Sequence, residues 1–263
     1  MRSLEYKLYL KKIKKEKILI IMSQVLILLS LIFIWEYLSN KNIINSFIYS
    51  SPTKVMRIIV ELYNNGNLFN HIWVTVYETI ISFILATLLG TIIAIILWYS
   101  KFLYKVMEPY LTILNSLPKV ALGPIIIIIS GANIKSIIIM ALLISLIITI
   151  STVYSGFINT DKNMIKLMNS FHASKWQILK YLVIPYNYHV IINSLKINVG
   201  MSLVGVIMGE FLVSKAGIGY LINYGSQVFN LNLVFAGIII LLIVSYLMYL
   251  LVLYIEKVLI RNN

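Results

Sequence analysis

The 263-residue sequence contains no cysteine, and only 12% of its residues are charged. The first absence excludes disulfide scaffolds, thiol catalysis and cysteine-based zinc sites, and it leaves the redox compartment open. The second falls well below the share of roughly a quarter found in soluble domains. Acidic residues are the scarcest, with 9 Asp and Glu against 22 Lys and Arg and a net charge of +13. The three histidines, His71, His172 and His189, lie too far apart for paired-ligand spacing, so no metal site is expected. No G-x-x-x-x-G-K-[ST] phosphate loop occurs among the 12 glycines. No paired carboxylates and no Ser/His/Asp set gather on one face, which argues against a membrane-embedded enzyme. No cofactor is expected.

What fills the sequence instead is apolar: 60% of residues are hydrophobic and the mean hydropathy is +0.92. An all-α polytopic membrane protein follows, because about 20 apolar helical residues cross a bilayer core and lipid leaves no partner for an unpaired backbone group. Six windows have that length: Ile18 to Leu38, Trp73 to Leu97, Tyr110 to Ile129, Ser136 to Val153, Val190 to Val213 and Val234 to Ile255. The third is interrupted by Asn115, Ser116, Pro118, Lys119, Gly123 and Pro124, so it is expected to be kinked or broken and packed inside protein. The first resembles a secretory signal, but its apolar core is long and no alanine precedes Ala86 to form a cleavage site. An uncleaved helix is expected.

With the N-terminus inside, 15 basic residues fall on the inner side and 5 on the outer side, while Lys119 and Lys196 lie within spans. This asymmetry predicts an N-in, C-in orientation. It also removes the nucleic-acid reading, because the charge follows the inner membrane face instead of lining a groove with stacking aromatics. Membrane lipids with anionic headgroups are the expected partner of that charge. The chain then divides into a basic cytoplasmic segment, 1–17, and a membrane domain, 18–260, with a core at about 70–255.

Two connections are long enough to hold structure. In the outer one, Ser51-Pro52-Thr53 precedes apolar residues at Val55, Ile58, Ile59 and Leu62, a helical spacing that ends at Asn64-Asn65-Gly66. An interfacial helix capping the bundle is expected. In the inner one, 154–189, Asp161 caps an amphipathic run through Met164, Ile165, Leu167, Met168 and Phe171. A second helical stretch runs from Lys175 to Pro185. Periodicity alone leaves two roles open for this pair, a docking surface or a loop lying on the headgroups.

The inner loop resembles the EAA loop of bacterial ABC importer permeases. The triplet position reads Lys166-Leu167-Met168 and the glycine position is His172, while Ala173-Ser174, Trp176-Gln177 and Pro185 match the pattern. Ser51-Pro52-Thr53-Lys54-Val55, Leu117-Pro118, Gly123-Pro124, Gly209-Glu210-Phe211 and Gly217-Ile218-Gly219-Tyr220 are similar to the nitrate, sulfonate and taurine branch of that family, in the same order. The resemblance spans about residues 30–260. It implies a type I ABC importer permease with six transmembrane helices, moving a small polar or anionic solute such as a sulfonate, taurine, nitrate or a thiamine precursor. It also implies three protein partners: a separate ATP-binding ABC subunit, a second permease copy, identical or different, and an extracytoplasmic solute-binding protein.

The same resemblance assigns roles. Lys166, Leu167, Met168, Ser170, Phe171, His172, Ala173, Ser174, Lys175, Trp176 and Pro185 would form the ATPase-coupling interface. Asn115, Ser116, Lys119, Asn198, Ser202 and Glu210 would line the translocation path. Gly205 and Gly209, at small-x-x-x-small spacing, allow close helix approach, within one subunit or between two. Glu210 has solvent or Lys215 as alternative partners, and Lys119 either neutralises a carboxylate or meets an anionic solute. An ion-gradient-driven transporter or channel is the competing class, although no inverted repeat and no chain of intramembrane acids supports it.

Overall fold

The computed structural model of the chain describes residues 4–261, and Arg2 of the basic leader lies outside them. Among the described residues all regular structure is helical. Helix α1 (Leu4–Asn40) joins the basic leader and the first span in one continuous rod of 37 residues. At 1.5 Å per residue it is about 56 Å long, so its basic N-terminal part stands clear of the apolar slab. From Leu4 onward the leader continues the helix of the span.

Helices α2 (Ser46–Tyr49) and α3 (Pro52–Asn64) build the outer connection. Ser51 Oγ accepts from Lys54 N at 3.3 Å and Pro52 occupies the first turn, the two devices that start a helix where its first N–H groups lack partners. Val55 is buried, and Ile59 and Leu62 pack beside Ile240 and Val244. The amphipathic stripe thus turns onto the bundle, which it caps.

The core is made by α4 (Asn67–Tyr99), α7 (Ile134–Ile158), α11 (Tyr188–Val213) and α13 (Leu231–Arg261), with α12 (Ile218–Gln227) at its outer edge. Buried positions on α4 are Thr75, Glu78, Thr79, Ser82, Ala86, Gly90, Ala94 and Leu97, mostly small or polar, while its large aliphatics face outward. That arrangement suits lipid, which accepts leucine and isoleucine as readily as a protein interior does and leaves close packing to small residues. Three of the buried hydroxyls are satisfied along their own helices: Thr79 donates to Thr75 O, Ser82 to Glu78 O and Thr149 to Ser145 O.

The third window forms α5 (Lys101–Ser116) and a second arm, Lys119–Ser130, that ends as α6 (Gly123–Ser130) and is bent from α5 by 93°. Pro118 explains the break, since it disfavours helical geometry at the residue before it, and Leu117 is extended at φ −67°, ψ 133°. Helix directions decide whether this pair crosses. Gly90 of α4 lies against Thr149 of α7, and Ala94 and Leu97 cluster with Ile150, Val153 and Phe157, so the two helices end on the same side. Parallel spans require a return crossing between them, and the bent α5–α6 pair supplies it. Counted so, the chain crosses six times and both described ends lie on one side, the inner side by the basic asymmetry.

Helix α11 runs back along α7. A Cβ on Gly209 would stand 2.9 Å from Ile137 Cγ2, and one on Gly205 would stand 3.0 Å from Ala141 Cβ. The small-residue pair therefore packs two helices of one protomer.

Candidate functional site

The inner loop folds as α8 (Lys162–Ser170), α9 (Lys175–Ile178), a π-helical turn at Leu179–Val183 and α10 (Ile184–Tyr186). Asp161 Oδ1 accepts from Asn163 N at 2.8 Å and starts α8, as the residue order predicts. The helix ends at His172, whose φ of +57° is left-handed, and Ala173 N donates back to Met168 O at 3.1 Å. Glycine enters this left-handed conformation without the cost that a side chain carries. Ser174 then starts α9 with a reciprocal cap: Gln177 N donates to its Oγ at 3.3 Å, and Ser174 N donates to Gln177 Oε1 at 2.7 Å.

One side of this pair is anchored. Ile178, Leu179 and Val183 are buried against Leu97, Val153 and Phe157, with Met168, Ala173 and Leu182 packed around them. Buried Asn187 closes the loop by donating to Thr160 Oγ1 at 2.7 Å and Val183 O at 2.9 Å. The other side is bare. Leu167, Phe171 and Trp176 are 57%, 75% and 59% exposed, and Lys166, Ser170, His172, Ser174, Lys175 and Pro185 are exposed with them. Met168 and Ala173 are half-buried and belong to the anchored side.

The candidate path residues separate into two groups. Asn115 and Ser116 on α5 border a polar cleft of about 500 Å³. Thr112, Ser151 and Ser155 share it, as do Tyr104 and Tyr154, whose rings stack at 4.0 Å. The signal for Ser151 and Ser155 was one polar face, four residues apart, at the end of an apolar helix. Lys119 Nζ donates to Asn115 O at 3.1 Å.

Asn198, Ser202 and Glu210 are buried inside the protomer, and none of them borders that cleft. Asn198 donates to Thr87 Oγ1 at 2.6 Å, and Ser202 Oγ has no partner. Glu210, 1% exposed, accepts from Thr75 Oγ1 at 2.6 Å and from Gly219 N at 2.5 Å. Thr75 Oγ1 in turn accepts from Ile218 N at 2.8 Å, and His71 Nδ1 accepts from Gly217 N at 3.0 Å. Neither solvent nor Lys215 serves Glu210: its carboxylate is the hub that ties the Gly217-Ile218-Gly219 loop to α4. Glu78 lies beside it with both carboxyl oxygens unpartnered.

The model of the binding-protein-dependent transport system inner membrane component family matches residues 86–261, two thirds of the chain. The chain belongs to that family. This permease is 26% identical over 216 residues to a Bacillus subtilis permease assigned to aliphatic sulfonate transport, covering 82% of this chain and 78% of that one. It is 27% identical over 217 residues to a formylaminopyrimidine transport permease of Halalkalibacterium halodurans, covering 82% and 86%. Its fold is similar to a chain in an inward-facing MetNI methionine ABC transporter, with a TM-score of 0.63 at 18% identity over 72% of this chain and 94% of that one. The protein is thus a multi-pass membrane permease of an ABC importer.

Proposed function

We propose that the bare face of α8 and α9 is the seat of a separate ATP-binding subunit, and that two permease copies enclose a path bordered by Asn115 and Ser116. One observation carries this reading. Leu167, Phe171 and Trp176 project from a helix pair whose opposite side is locked into the inner ends of α4 and α7. Large apolar and aromatic side chains on a rigid support are the usual energetic centre of a protein interface. Movement imposed there by ATP-driven closure passes to the spans through the packing of Ile178, Leu179 and Val183 on Leu97, Val153 and Phe157.

The cargo is a small polar or anionic solute delivered by an external binding protein. Two relatives of nearly equal similarity are named for chemically different cargoes, a sulfonate and a pyrimidine. Selection by the binding protein accounts for that difference, and a path of hydroxyl and amide groups suffices for the permease.

The test is co-purification with the cognate ATPase and uptake in proteoliposomes. Phe171→Asp and Trp176→Asp are expected to release the ATPase and abolish vanadate-sensitive uptake while the permease stays monodisperse. These positions are cleaner than Ala173→Arg, which would also disturb the packed side. Retained assembly in both variants refutes the interface. Uptake by the permease alone, driven by an ion gradient, refutes the ABC mechanism.

A further inference from the structure

A second inner-face feature adjoins the proposed ATPase seat. Between α5 and the α8–α9 pair lies a cavity of about 680 Å³ into which five lysines converge: Lys101, Lys105, Lys162, Lys166 and Lys175. Lys101 and Lys105 are one turn apart on α5, and Lys162 and Lys166 are one turn apart on α8, so two basic rows face each other. Glu108 is the single carboxylate in the lining, and it already accepts from Tyr104 Oη at 3.0 Å. Among the described residues the one ion pair is Lys196 with Glu256, so none of the five lysines has a carboxylate counter-ion. Lys175 Nζ instead sits 5.7 Å from the centre of the Tyr99 ring.

Apart from Asn169, the rest of the lining is apolar and aromatic, including Trp98, Phe157, Ile158, Ile165 and Ile178. Trp98 and Tyr99 close the apolar run of α4, at the level where aromatic side chains mark the membrane interface. Concentrated positive charge above an apolar floor, at headgroup depth, fits an amphipathic anion better than a bare one. Phosphate oxygens accept charge-assisted hydrogen bonds from ammonium groups, and a glycerol backbone with its first methylenes covers apolar wall.

We propose that this cavity binds the headgroup of an anionic phospholipid such as phosphatidylglycerol, which bridges α5 to the coupling helices. Lipid binding rests on the inward orientation of this end; its effect on transport rests also on the proposed ATPase seat, whose interface shares Lys166 and Lys175 with the cavity. The bound phosphate offsets the repulsion among the lysines. It also joins a helix bordering the polar cleft to the pair that receives the ATPase stroke, so anionic lipid is expected to raise coupled transport.

The experiment uses the permease–ATPase complex in phosphatidylcholine nanodiscs titrated with phosphatidylglycerol, with lipid retention read by native mass spectrometry. Wild type is expected to retain phosphatidylglycerol. The Lys101→Gln, Lys105→Gln, Lys162→Gln triple variant is expected to bind it on the order of a hundredfold more weakly, at roughly fivefold per lysine. A single Lys105→Gln variant, with a loss of about fivefold, serves if the triple variant does not fold, and Arg at all three positions keeps binding. Equal retention by wild type and the Gln variants overturns the site. Displacement of the lipid by millimolar inorganic phosphate makes it a soluble-anion site and overturns the lipid assignment. Release of the ATPase by the triple variant makes the cavity part of the protein interface, with the same consequence.

Discussion

Gly217→Ala probes the buried carboxylate hub most directly. Gly217 has φ +114° and ψ 166°, a region that side-chain-bearing residues rarely enter, and forcing alanine into it costs about 1–3 kcal/mol. The added Cβ would also overlap the Glu210 carboxyl group. That group has little room to retreat, because Thr75 and Gly219 both bond it. Overpacking of this kind adds about 1–3 kcal/mol. Reduced freedom of the unfolded chain returns about 0.4–1 kcal/mol, leaving a net loss of about 1–5.5 kcal/mol. Gly66→Ala is the matched control: Gly66 is also left-handed, at φ +70°, but open space surrounds its Cβ position. Its expected net cost is about 0–1.5 kcal/mol, a backbone cost of about 1–2 kcal/mol less the same unfolded-chain return. Unfolding midpoints of the two purified variants, followed by tryptophan fluorescence and size-exclusion monodispersity, give the comparison. Equal midpoints would show that the loop is not packed on Glu210.

Three further outcomes are expected. Gly205→Leu should separate α11 from α7, costing about 3 kcal/mol and halting membrane accumulation; wild-type expression and melting would place Gly205 away from Ala141. His172→Gly should stabilise by about 1 kcal/mol, since φ +57° suits glycine; a lower melting temperature would count against the left-handed end of α8. Glu78→Gln should raise stability by about 1–3 kcal/mol, because the amide supplies a donor beside Glu210 where both Glu78 oxygens now lack one; a loss of that size in a denaturation series would count against the pairing.

The inner loop was the most legible part of the chain. Asp161, Ser174 with Gln177, and the apolar spacing through Met168 and Ile178 are local signals, read within one or two helical turns, and the structure realises each of them. Ser51 and Pro52 announced α3 in the same way. The fifth-span polar residues were not legible. Asn198 and Glu210 meet partners on α4, 111 and 135 positions away, and no local pattern states whether an amide or carboxylate at membrane depth faces a path or a neighbouring helix.

Composition and charge by themselves determined that this protein is helical, spans a membrane and keeps its basic face inside. These are sums over many residues, set by transfer of apolar side chains into lipid and by the asymmetry of lysine and arginine. Tertiary structure alone decided that the broken third window is a crossing, since that depends on α4 and α7 running parallel. It alone assigned Glu210 to a loop anchor and gathered five lysines around one cavity. The physical reason is common to both: lipid and protein interior accept the same apolar side chains, so hydropathy reports depth in the membrane, and only helix contacts report which way a residue faces.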